Sequence, residues 1–302
     1  MLRFIHISLF FLFTLGVWAQ APYMNKALEA YQASDIVKAA SYIDSAIANP
    51  EEAKDPFTWH LRGFIYRDYF RVIEKENRNS NKRPIAIESF MKSNELEGNN
   101  GENTAKNNSN IKSLIISYYN NAVVLMDTAN YRESEKFYVV YRNWMLRAFP
   151  GTDLKKQDVD YYNALATILV KLYNRMDDRS LQYFDSAVAV YKKVIELDSN
   201  NCLAHYQIGI LYYNKGVEIL LGLDAGTPLE EIVKAQDECV KLFLISKPHL
   251  YRAWQIENCQ SIDKVEIATG ISGIHYQLNE AEEHQRFEEI KKKLQEGKKT
   301  DE

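Results

Sequence analysis

Apolar residues in this chain recur at three- and four-residue steps, and the stretches that carry them come in pairs joined by short polar breaks. That spacing marks helices burying one face each, and pairing with short connections makes neighbours antiparallel. The first pair covers 23–48, where Ala27, Ala30, Tyr31, Ala39, Tyr42, Ile43, Ala46 and Ile47 keep the period and Ala33-Ser34-Asp35 breaks it. Further pairs read as 58–73 with 85–96, 111–126 with 132–149, and 159–175 with 181–197. A fifth begins at 203–221 and continues, after Gly226-Thr227-Pro228, as a long helical stretch towards Asn258; a sixth covers 264–278 and 280–295. Only 12 glycines and 7 prolines interrupt 302 residues, and no alternating β-branched run bounded by turns supports a strand.

Within each pair a small residue on the first helix has a small–large–small partner set on the second. Trp59, Gly63 and Tyr66, and Ile208, Gly209 and Tyr212, carry the first-helix pattern most specifically. Ala27, Ala122, Ala166 and Gly273 occupy the small position elsewhere. The second helices read Ala39, Ile43, Ala46; Ala86, Phe90, Ser93; Ser134, Tyr138, Tyr141; and Ala187, Tyr191, Val194. In the fifth pair Ser246, Leu250, Ala253 is the preferred register, with Cys239, Phe243, Ser246 equally legal. A small residue lets two helices approach closely while large ones fill the gaps. The pattern resembles the tetratricopeptide repeat, with its W-x2-L-G-x2-Y first helix and A-x3-F second helix. The resemblance implies an all-α, right-handed solenoid of antiparallel helix–turn–helix hairpins. The irregular distances between small positions imply insertions.

The expected organisation is a signal peptide over 1–19, two repeats in 20–97, a polar surface loop at 98–110, four repeats in 111–296 and a charged, frayed tail at 297–302. The leader reading rests on Arg3, the apolar run from Phe4 to Trp18 and the small Ala19 before a cut. The run is shorter than the roughly 20 residues a membrane span needs. Export to the periplasm or the cell exterior is therefore expected, with no membrane span after cleavage. Losing Arg3 from 37 basic residues leaves 36 against 41 acidic ones, a mature charge of −5. That mild acidity argues against nucleic acid, whose phosphates draw on dense Lys/Arg surfaces. Cys202, Cys239 and Cys259 form no disulfide framework; either Cys202–Cys239 or Cys239–Cys259 could pair, and the simplest reading is three small buried side chains.

No phosphate-binding glycine loop, H-E-x-x-H, G-x-S-x-G or EF-hand loop occurs, and no Cys/His cluster suggests a metal. The histidines read as isolated, and adjacent carboxylates such as Asp177-Asp178 as solvated charge. No catalytic residue, metal or cofactor is expected. The resemblance instead implies a concave groove lined by first helices, and carries a partner site onto Tyr31, Phe57, His60, Phe64, Arg67, Tyr119, Met126, Tyr206 and Tyr213. Such an aromatic face suits an extended peptide or helix of a protein partner, and the expected function is a non-enzymatic scaffold of the cell envelope. The alternative is a groove that stacks a glycan or another small ligand. Asp127-Thr128-Ala129 also resembles a short glycosylation acceptor of some exported bacterial proteins.

Overall fold

The computed structural model describes residues 22–175, 181–257, 259 and 261–300. The expected leader and the Asp177-Asp178 pair lie outside these residues. Among the described residues the protein is all-α, with twelve α-helices and no strand. They are α1 (Pro22–Gln32), α2 (Ile36–Ala48), α3 (Pro56–Asp68), α4 (Lys82–Leu96), α5 (Thr104–Val124), α6 (Tyr131–Ala148), α7 (Lys155–Tyr173), α8 (Leu181–Leu197), α9 (Cys202–Leu221), α10 (Leu229–Gln255), α11 (Lys264–Gln277) and α12 (Ala281–Thr300). Both helices of every expected pair are present. Helix starts follow from side chains that satisfy free backbone N–H groups: Asp35 accepts from Lys38, Asp55 from Phe57, Asn201 from Ala204 and Asp263 from Val265.

The chain forms two compact units. Among the described residues, unit 1 holds those from Pro22 to Asn121 together with Asn143–Pro150, and unit 2 holds Ala122–Arg142 and those from Gly151 onward. In unit 1, α1 packs on α2, α2 on α3, and α3 on α4. The small-residue logic is explicit there, since a β-carbon on Gly63 would lie 2.5 Å from the Phe90 ring. After α3 the backbone widens into a π-helical turn over Tyr69–Ile73, and fully buried Arg83 then stacks 3.4 Å from the Tyr118 ring centroid and donates to Ser117 Oγ.

Unit 2 repeats the scheme with α7/α8, α9/α10 and α11/α12, linked through α8 on α9 and α10 on α11. The fifth pair uses both legal registers at once. Leu250 fills the space beside Gly209, and Phe243 fills the space beside Gly216, one heptad along each antiparallel helix. Ser246 donates to the Gly209 carbonyl at 2.6 Å, as Ser134 does to that of Ala122 at 2.7 Å. Both helices are long enough to hold two copies of one small–large contact.

Five expectations need correction. The segment 98–110 is not a loop throughout, because α5 begins at Thr104 and Asn107 is fully buried. Polar bonding, not apolar burial, orders it: Asn107 donates to Ser93 and Asn94, and Glu97 accepts from Asn103 and Thr104. The tail is likewise helical to Thr300.

The cysteine reading is corrected to a Cys202–Cys259 disulfide with Cys239 free and buried. The antiparallel register sets Cys202 against the end of α10, where it contacts the Ala253 carbonyl, so Cys259 just beyond is within reach at 5.6 Å between Cα atoms. Cys239 sits far along the hairpin, against the Gly216 carbonyl. In the sixth pair the small position is Ser272, which bonds His284 and Glu288 of α12, whereas Gly273 makes room for Tyr213 of α9. Finally, His205 is not isolated, since α10 brings His249 Nδ1 to 3.2 Å from its own Nδ1.

Candidate functional site

Helix α3 presents Phe57, His60, Phe64 and Arg67 at three- and four-residue steps, so their side chains stack along one face. His60 lies 5.8 Å from Phe57 and 4.9 Å from Phe64, and Phe64 meets the Phe90 ring edge-on at 5.2 Å. The Arg67 guanidinium covers Phe64 at 4.4 Å, and Lys106 of α5 approaches the same ring at 4.9 Å. Two cations over one ring make a polarised aromatic surface. Arg67 also donates to Asp68 at 2.8 Å and to Asn110 at 2.7 Å, which fixes its head group. Asp68 in turn accepts from the Tyr31 hydroxyl of α1; burial, then this bond, push that phenol up to about 12. Tyr31, Phe57, His60, Phe64 and Arg67 thus form one connected group in unit 1.

Their exposure differs. Phe57 is 37% exposed, whereas His60 is 6% exposed and spends its Nδ1 on Asn107 at 2.7 Å. Burial holds its imidazole below the usual histidine range, so it is neutral at pH 7. Tyr119 lies further along α5 and is half-buried. In unit 2, Met126 is half-buried beyond the end of α5. Tyr206 and Tyr213 on α9 are turned towards α11. Burial and Glu266 push the Tyr206 phenol up to about 12, and the Tyr213 hydroxyl occupies the space left by Gly273. These two tyrosines pack within unit 2.

Sequence reasoning missed Lys106, Asn110 and Asp68. Assigning 98–110 to a loop hid the first turns of α5, which supply two of the three. It also missed a cleft of about 850 Å³ on unit 1, lined by Trp59, Met91, Asn108, Arg147 and Phe149 among others. Trp59 donates to the Ala53 carbonyl, which leaves the ring fixed at the cleft wall.

Other polar groups have structural explanations. Ser272, His284 and Glu288 contain the residue types of a nucleophilic triad, but Ser272 is 2% exposed and its hydroxyl donates directly to Glu288 at 2.6 Å. A catalytic serine needs access to substrate and a base for its proton. Tyr251, His275, Glu280 and Lys247 bond one another across α10, α11 and the turn before α12. Among the described residues no three His, Cys, Asp or Glu side chains converge to hold a metal, and no helix is long and apolar enough to cross a membrane.

No curated protein sequence matches the chain. A family model described as TPR repeat matches residues 178–216. That segment takes in α8 and most of α9, including Ala187, Tyr191 and Val194 and the Ile208-Gly209-Tyr212 pattern. Such repeats serve in general as protein-interaction scaffolds and are typically non-catalytic. With its hairpins packed consecutively in each unit, this is a tetratricopeptide-repeat-containing protein.

Proposed function

We propose that the protein is a non-enzymatic scaffold of the bacterial cell envelope that holds a protein segment against the α3/α5 face of unit 1. The observation that carries this reading is the pair of cations over Phe64, of which Arg67 is held by Asp68 and Asn110, with exposed Phe57 beside it. A rigid aromatic anchor flanked by oriented donors suits a peptide that offers an apolar side chain next to an acceptor. The envelope location rests on the leader pattern of residues 1–19. Cross-linking in intact cells followed by mass spectrometry identifies the partner. Phe64→Ala with Arg67→Ala, with helicity retained, should abolish its capture. Undiminished capture sinks the proposed face, and a cytoplasmic, unprocessed chain sinks the envelope role.

The cleft beside Trp59 favours a second reading, a small ligand such as a glycan stacked on that ring. Its volume falls in the range of ligand pockets. Saturable thermal stabilisation by a glycan, lost in Trp59→Ala but not in Phe64→Ala, would select it.

A further inference from the structure

Helix α10 is the longest of the described helices, with 27 residues, and in its first part only Ile232 and Ala235 are half-buried. Gly216 faces Phe243, so five residues later the end of α9 at Leu221 comes level with Glu238. Leu229 to Glu238 therefore projects past the end of α9; Ile232 and Ala235, on the edge that leads to Cys239, are half-buried, and the other residues of the segment are exposed. A free helix that short is marginal in water without a packed face.

The projecting part nevertheless carries apolar residues in register. Leu229 is 75% exposed and Val233 48%, and the line continues over the supported part through Val240 at 42% and Leu244 at 54%. Steps of four, seven and four residues keep these side chains within one narrow stripe along the helix. The stripe runs beside the buried edge that carries Cys239 and Phe243, and on its other flank stand Glu230, Lys234, Asp237 and Lys241.

Two features identify what covers it. The stripe is symmetric about the point between Gln236 and Asp237: a two-fold axis there sets Leu229 against Leu244 of a second copy and Val233 against Val240 of a second copy. The charge is split about the same point. Leu229–Glu238 carries Glu230, Glu231, Asp237 and Glu238 against Lys234 alone, while the rest of α10 carries Lys241, Lys247 and Arg252 and no acid. Antiparallel pairing brings the acidic half to the basic half, and parallel pairing sets like against like.

We infer that the exposed stripe of α10 is a self-association surface that takes α10 of a second copy of this chain, antiparallel, across a two-fold axis at Gln236/Asp237. Such an interface is isologous and closes at a dimer. One helix per copy gives an interface at the small end of the stable range, so the dimer is concentration-dependent.

The test is sedimentation equilibrium of the purified chain from low to high micromolar concentration, with far-UV circular dichroism on each variant. The wild type should pass from monomer to dimer. Val233→Asp with Val240→Asp should abolish the dimer. Lys241→Glu, a surface change that leaves the fold intact, should weaken it roughly tenfold because the symmetry repeats each contact. Adding Glu230→Lys to Lys241→Glu should restore it. A monomer at every concentration overturns the inference, as does a dimer indifferent to the aspartates. A failed charge swap overturns the antiparallel register, and dimerisation only after residues 1–21 are removed assigns the stripe to that apolar segment instead.

Discussion

Hairpin α9/α10 and the junction from α4 into α5 are held together by opposite chemistry. In the former, Leu250 and Phe243 fill two glycine-made spaces, and a disulfide ties the start of α9 to the chain just past α10. In the latter, Ser93, Asn94, Asn107 and Asn108 bond one another and His60, with almost no apolar side chain in the first turns of α5. Apolar interlock tolerates the loss of one layer when a second remains. A buried polar network does not, because each removed partner strands the others without water. The polar junction is also what positions Lys106 and Asn110 beside Arg67, so the candidate site depends on the less forgiving of the two.

That contrast can be broken in order of effect. Phe90→Ala empties the space that the Phe90 ring fills beside Gly63 and should cost about 4 kcal/mol in urea unfolding; Phe243→Ala, backed by Leu250, should cost about 1 kcal/mol less. Equal losses would show that the second layer adds nothing. Cys202→Ser with Cys259→Ser opens a loop of 57 residues and should cost about 2–4 kcal/mol, raising hydrogen exchange in α9 and α10 but not in α4 or α5. Asn107→Ala should cost about 2 kcal/mol by stranding His60, Asn94 and Ser93, with lost protection confined to the start of α5 and its neighbours.

Acid acts most gradually, and per pH unit its effect is the smallest. Burial, then His205, hold His249 down to about 4, and burial lowers His205 too. The unfolded chain then takes up protons first, so stability is intact above the ordinary histidine range near 6.5 and falls as pH drops towards about 4. The slope for His249 should approach about 1 kcal/mol per pH unit. His249→Gln should flatten it in a series of thermal melts; an unchanged slope would place the titration elsewhere, with His60 the next group to replace.

The helical pairs were legible because apolar period and small-residue spacing are local properties. Both registers of the fifth pair were readable too, though not that both operate. The polar junction was not legible: Asn107 and its partners look like loop residues until the fold removes them from water. The same holds for the histidine pair and the disulfide, whose members lie 44 and 57 residues apart. Of the site, the α3 aromatics and Arg67 could be named from the repeat resemblance, but not which were buried, nor that α5 supplies the second cation.

The sequence by itself therefore determined helices, their pairing and the small–large contacts, because helical period and close approach act over a few residues. Only the tertiary structure decided which thiols meet, which asparagines are core, and which apolar residues stay uncovered. Those outcomes depend on the antiparallel register between helices far apart in the chain. In α10 that register runs past the end of α9, and it leaves Leu229 and Val233 facing water.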